Sequence, residues 1–222
     1  MERLIDLGGE VLVRERMRQK SYASRYAGSI ITSLKHLIQF ANYRMLQIRL
    51  SRNIFEIIQS NFLSTPDWKT EIRRRLNDLE GFEFNSNSTF SSIFFGFYKY
   101  SISRGQGKVC IKLNSFVPSS QIASPPGATH FEIISGVCES KDHSKEFKST
   151  VVLSKIYELS DTSIGDIFFI HKISPKCNYP IFLMLGVNFY YSREGMIESF
   201  LNGDMNCFMI ISSDDNHLNK RN

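Results

Sequence analysis

The chain has 222 residues, 42% of them apolar and 22% charged, which is the composition of a globular protein that buries its own core without a disulfide or metal staple. Its Met1 end carries acids and two glycines and lacks the apolar segment of a signal peptide, and its longest apolar runs fall well short of a bilayer span. We therefore expect a cytoplasmic protein without a membrane partner.

Charge and periodicity both change near residue 80. Residues 1–80 contain 14 Lys and Arg against 9 Asp and Glu, a net charge of +5, whereas residues 81–222 contain 13 of each and are neutral. The pattern predicts three parts: a basic helical region at 1–80, an antiparallel β-sandwich domain at 81–213 and a polar tail at 214–222.

The basic region is predicted to hold two or three helices. Apolar residues recur at helical spacing from residue 28 to residue 60, with a break expected near residues 51–53. A further helix is predicted to begin at Thr65, as N-cap, with Pro66 at its first position. Gly81 is a suitable residue to end it.

Beyond Gly81 the residues are rich in aromatic and β-branched types, and Gly, Pro, Asn, Asp and Ser separate short runs. Seven to nine strands without intervening helices are typical of a sandwich or an open barrel. The fold class predicted is α+β, an N-terminal helical region followed by an antiparallel β-sandwich. The strand-like segments are residues 82–85, 91–103, 108–114, 129–137, 147–159, 166–173, 181–191, 196–201 and 205–212.

The segment PPGATHFEIISG, residues 125–136, is the most distinctive in the chain. His-x-Glu is half of a zinc deaminase signature, but the Pro-Cys-x-x-Cys that completes the signature is absent from the sequence. In a strand, His130 and Glu132 share one face and Phe131 and Ile133 take the other. We interpret the pair as the polar face of a strand that follows a structural turn.

Other candidate sites also have structural interpretations. SRGQGKV, residues 103–109, lacks the spacing and the following helix of a phosphate loop and is predicted to be a hairpin turn. The four cysteines, at 110, 138, 177 and 207, show no metal-binding spacing and are predicted to be free structural thiols. A zinc set of Cys138, Asp142, His143, His171 and Cys177 matches no tetrahedral pattern. We predict no catalytic residue, no metal and no cofactor.

Basic residues of the first part could contact phosphates, and this is the sequence feature that favours nucleic acid as a partner. The structural alternative is a solvated helix face whose long side chains cover apolar surface. The candidate nucleic-acid-binding residues are Arg14, Arg16, Arg18, Lys20, Arg25, Arg73, Arg74 and Arg75.

Several segments resemble a family of bacterial proteins of unknown function, found mainly in the Bacteroidota. The resemblance covers most of the chain and is most specific at GATHF, residues 127–131, with Gly8-Gly9, Gly81–Phe84 and Gly186–Tyr190 as further matches. Relative to that family the chain lacks a strand-rich segment ahead of Gly8-Gly9. The resemblance implies an architecture and carries no catalytic or binding residue.

Two functions are predicted. The first is a non-enzymatic structural, assembly or protein-interaction protein, because exposed sheet edges favour pairing with another copy or another protein. The alternative is a nucleic-acid-associated module that uses the basic N-terminal helices. An enzyme or small-ligand binder ranks third, because residues dispersed in sequence can still assemble a pocket.

Overall fold

A computed structural model of the chain describes residues 2–38, 45–60, 76–141, 146–176 and 180–214. The fold is α+β, as predicted, with N-terminal helices followed by antiparallel strands. A six-stranded sheet lies in the middle, the helices cover one of its faces and a three-stranded sheet covers the other. Within the described residues, no helix is long and apolar enough to cross a membrane.

The helices and strands have the following bounds. The helices are α1 (Glu2–Ser33), α2 (Lys35–Ile38), α3 (Leu46–Gln59), α4 (Phe90–Ile93) and α5 (Pro118–Gln121), with short 3-10 helices at Leu76–Leu79 and Phe200–Gly203. The strands are β1 (Tyr98–Ser103), β2 (Lys108–Leu113), β3 (His130–Lys141), β4 (Glu146–Leu153), β5 (Tyr157–Glu158), β6 (Ile167–Lys172), β7 (Ile181–Arg193), β8 (Met196–Ser199) and β9 (Cys207–Asp214).

The central sheet has the order β4-β3-β7-β8, with β9 also paired to β7 and β5 to β3. Residues 131–139 of the inner strand β3 and residues 181–189 of the inner strand β7 are buried on both faces, because each face has its own covering layer. Alternate residues therefore enter two separate cores. Met184 belongs to the core beneath the helices, whereas Leu183 and Leu185 belong to the core of the sandwich.

The helical layer packs α1 against α3 and both helices against the central sheet. Ile30 of α1, Leu34 directly after it, and Leu50 and Ile54 of α3 are almost fully buried in this core. The predicted break near residues 51–53 is wrong, since α3 runs through it without interruption. The chain leaves the helical conformation instead ahead of α3, where Met45 has a left-handed φ of 73°.

The predicted helix from Thr65 lies largely outside the described residues. Its last part is a 3-10 helix that leads into Gly81, whose φ of 84° suits the glycine predicted there. Residues 82–85, predicted as a strand, form only an isolated bridge, between Glu83 and Met209. Residues 91–93, predicted to begin the strand 91–103, belong instead to α4. A Glu83 side-chain oxygen accepts the Phe90 N–H at 2.9 Å, which favours this helical turn.

The three-stranded sheet has the order β1-β2-β6 and forms the outer layer of the sandwich. β1 and β2 form a hairpin across residues 104–107, which confirms the turn predicted at SRGQGKV; Gly107 there has a φ of 64°. Val109, Ile111 and Leu113 of β2 point inward and are fully buried. The alternate residues of β2 consequently face away from the core.

Candidate functional site

The GATHF segment leads into β3 at the end of the central sheet. His130 lies opposite Tyr190 and Glu132 lies opposite Asn188 on the neighbouring strand β7. His130 is half-buried, but Glu132 retains only 7% of its exposure. The sequence predicts a polar face on this strand. At Glu132 that face is buried, because the helix-facing side of the sheet is also covered.

Glu132 is held by two side chains of β7. The Tyr190 hydroxyl donates to Glu132 Oε2 at 2.9 Å, and Asn188 Nδ2 lies 3.3 Å from the same oxygen. Burial, together with Glu132, raises the pKa of Tyr190 to about 12, so the phenol stays a hydrogen-bond donor at neutral pH. This arrangement stabilises the end of the sheet and contains no activated nucleophile.

His171 connects the two sheets of the sandwich. Its Nε2 lies 2.8 Å from Ser135 Oγ on β3, and its Nδ1 lies 2.9 Å from Thr150 Oγ1 on β4. Burial lowers the pKa of His171 to about 4, so the ring is neutral at physiological pH. Both ring nitrogens are occupied by hydroxyl groups, which is the geometry of a structural tie between layers.

The residues of the candidate zinc set do not come together in the described part of the chain. Cys138 is buried beneath α1, where its sulfur lies 3.3 Å from Ser33 Oγ, and burial raises its pKa to about 12. Burial also raises the pKa of Cys207. Both are therefore thiols at neutral pH. Asp142, His143 and Cys177 lie outside the described residues, within which no group of three metal-ligating side chains forms.

A groove of about 650 Å³ lies between α3 and the segment that follows Gly81. Arg49 crosses it and donates to the backbone carbonyls of Glu83 and Phe84, and its guanidinium carbon lies 5.2 Å from the centre of the Phe82 ring. The second carboxylate oxygen of Glu83, Oε2, is buried without a hydrogen-bond partner. Burial raises the pKa of Glu83 to about 7, against the opposing effects of the Phe90 and Ser91 N–H groups and Arg49.

The basic residues of α1 do not form one surface. With about 100° of rotation per residue, Arg14, Arg18 and Arg25 fall on the side of the helix opposite its buried stripe. Arg16 falls on the line of that stripe, nearer the start of the helix, and Lys20 falls beside it. Arg18 also forms an ion pair with Glu15 at 3.5 Å.

Arg16 and Lys20 lie against α3 and cover an aromatic ring there. Their charged groups lie 6.0 and 5.6 Å from the centre of the Phe55 ring. This contact matches the structural alternative, in which long basic side chains cover apolar surface. Arg73, Arg74 and Arg75 lie outside the described residues.

The sequence predicts exposed sheet edges but does not indicate which strand has one, and in the structure the outer edge of β1 is such an edge. β1 is one of the two terminal strands of its sheet, and within the described residues no strand pairs with its far side. Phe97 is 76% exposed just before the strand, and Phe95 and Tyr100 are exposed as well. Exposed aromatic residues along an unpaired edge are unusual, because such an edge readily adds another strand.

The direction of the free backbone groups follows from one hydrogen bond. Asn114 donates its N–H to the Phe97 carbonyl at 3.0 Å, so position 97 bonds toward β2. In an antiparallel pair the bonding positions alternate, and positions 99, 101 and 103 therefore bond toward β2 as well. Within the described part of the chain, the N–H and C=O groups that have no strand partner are therefore those of Tyr98, Tyr100 and Ile102.

Comparison with known proteins finds no family model, curated protein or solved structure that matches the chain.

Proposed function

We propose that the protein is a non-enzymatic assembly protein that pairs with a second copy of itself through the outer edge of β1. The observation that carries this proposal is the unpaired edge of β1 with its exposed aromatic residues Phe97 and Tyr100. Such an edge provides backbone donors and acceptors for a new strand and apolar surface for its side chains.

A second copy fits this edge by symmetry. If a two-fold axis passes at Tyr100, Tyr98 of one copy lies opposite Ile102 of the other, and all the free backbone groups can exchange hydrogen bonds. In this register Lys99 lies opposite Ser101, so that lysines do not meet directly. The two three-stranded sheets then form one continuous six-stranded sheet.

The compartment proposed is the cytoplasm. Cys110, Cys138 and Cys207 are free thiols in the structure, and cytosolic proteins keep thiols reduced. An assembly protein of this kind needs no cofactor, because its contacts are backbone hydrogen bonds and apolar side chains.

The first test is light scattering after size-exclusion chromatography over a range of protein concentrations. The expected mass is twice the 25.6 kDa of the chain. The variant Tyr100→Pro removes one free N–H without breaking a bond to β2 and is expected to elute as a monomer with an unchanged circular-dichroism spectrum. The matched control Tyr100→Phe keeps the N–H and the ring and should remain dimeric.

Two results contradict the proposal. One is a wild-type protein that stays monomeric at the highest concentration reached. The other is a Tyr100→Pro variant that stays dimeric, since its contact would then lie elsewhere on the molecule.

A further inference from the structure

The outer face of the three-stranded sheet carries a second surface, which we name the lysine face. It consists of the outward side chains of Lys99, Ser101, Lys108, Cys110, Lys112, Phe168, Ile170 and Lys172. Side chains alternate between the two faces of β6. Ile167, Phe169 and His171 point inward and are buried, so Phe168, Ile170 and Lys172 point outward.

The strand register places lysines directly opposite one another. Lys99 of β1 faces Lys112 of β2, and Lys108 of β2 faces Lys172 of β6. Side chains in such positions lie about 5 Å apart at Cβ, and like charges there destabilise a sheet. Two such pairs on a single face represent a cost in stability that a bound anion would relieve.

Few acidic groups offset these charges. Lys112 forms an ion pair with Asp166 at 2.7 Å. Among the described residues, no ion pair is formed by Lys99, Lys108 or Lys172. The face is therefore basic, although the segment that contains it, residues 81–222, is neutral as a whole.

Two large apolar side chains lie between the lysines. Phe168 is 57% exposed and Ile170 is 54% exposed, and the Lys112 ammonium lies 5.4 Å from the centre of the Phe168 ring. A surface with both cationic groups and an accessible ring fits a ligand that has both phosphates and planar bases.

We propose that the lysine face binds single-stranded nucleic acid. Lys108 and Lys112, each of which faces another lysine across the sheet, lie about 13 Å apart along β2. The strands β1 and β6 lie about 10 Å apart across the sheet. A single strand can lie on a surface of this size, with phosphates near the lysine pairs and a base on Phe168. This site is separate from the basic helices predicted by the sequence, and it does not depend on pairing through β1.

The test is fluorescence anisotropy with a labelled oligothymidylate of roughly 16 nucleotides, the upper end of the site sizes of small single-strand-binding folds. The double variant Lys108→Gln/Lys172→Gln is expected to weaken binding and to reduce the slope of log K against log salt by about 1.4, for two lost phosphate contacts. Phe168→Ala should weaken binding roughly fivefold or more, with the salt slope unchanged.

A matched control separates this face from the helices. The triple variant Arg14→Gln/Arg18→Gln/Arg25→Gln removes more positive charge than the lysine double variant and should bind as the wild-type protein does. Binding by Tyr100→Pro should also equal that of the wild type, which keeps the result independent of oligomeric state.

Four results overturn the inference. They are no binding at low salt, loss of binding in the helix variant but not in the lysine variant, unchanged affinity of Phe168→Ala, and equal competition by polyglutamate. The last would identify the site as one for acidic polypeptides. Circular dichroism of each variant checks that the sheet is intact.

Discussion

The two layers that cover the central sheet are both basic, but they arrange their charge differently. In the helical layer, the basic residues of α1 lie on opposite sides of the helix, and Arg16 and Lys20 cover a phenylalanine ring. In the three-stranded sheet, Lys108 and Lys172 face each other across neighbouring strands. The net charge of a segment is therefore a poor guide to its surface, because register decides which charges meet.

The layers differ in their polar contacts as well. In the sandwich, His171 connects the two sheets through hydrogen bonds to hydroxyl groups on two strands. Burial favours the neutral form of its ring. The helical layer meets the segment after Gly81 at a groove where Glu83 keeps one unpartnered oxygen. These two groups should give the layers opposite dependence on pH.

The largest expected effect comes from close packing in the sheet. A Cβ at Gly186 of β7 would lie 2.3 Å from the Cys207 carbonyl oxygen, a backbone atom that cannot move aside alone. We expect Gly186→Ala to lower the free energy of unfolding by about 3 kcal/mol, measured by urea denaturation.

Gly28 of α1 provides the matched control in the helical layer. Its added Cβ would first meet Gln47 Nε2 at 3.5 Å, an ordinary contact. Gly28→Ala should raise the free energy of unfolding by about 0.5–1 kcal/mol, because alanine restricts the unfolded chain and favours the helix. Equal losses in both variants would contradict the contrast between a tightly packed sheet and a more tolerant helix.

The second prediction concerns His171. Its pKa is about 4 in the folded protein, against the ordinary value of 6.5 for a solvated histidine, so between these values the unfolded chain binds more protons. The free energy of unfolding should rise with pH across this window and lose up to about 3 kcal/mol below it. Urea denaturation at pH 4 and pH 7 should show a net rise in the free energy of unfolding in the wild type, because the His171 effect exceeds the opposite effect of Glu83, and no rise in His171→Gln. A variant with the wild-type pH profile would exclude His171 as the titrating group.

The sequence predicts some of these features and not others. Helical and alternating periodicities are local, and they predict the helical region, most strands and the hairpin at residues 104–107. The burial of Glu132 was missed because it depends on a second covering layer, which a strand pattern does not reveal. The alternating positions of Lys108, Cys110 and Lys112 predict that these three side chains lie on the same face of one strand. The lysine opposite Lys108 is Lys172, which comes from a strand some sixty residues later in the chain. Pairing of distant strands is tertiary information, and so is the free edge of β1.

The smallest effect is expected at Glu83, and it has the opposite sign to that of His171. The Glu83 pKa rises from 4.5 to about 7 on folding because burial disfavours the carboxylate, so the folded protein binds the extra proton between these values. The contribution of Glu83 to the free energy of unfolding should therefore fall as pH rises through this window, by on the order of 1 kcal/mol once its partial exposure is considered. Glu83→Gln should remove the fall and leave the variant more stable than the wild type at pH 8, as measured by urea denaturation. Because His171 and Glu83 titrate in overlapping windows with opposite signs, the double variant should show the flattest profile. If the Glu83→Gln profile instead follows that of the wild type, the Arg49 guanidinium keeps Glu83 ionised, and the groove beside α3 is held by an ion pair instead of a neutral carboxyl group.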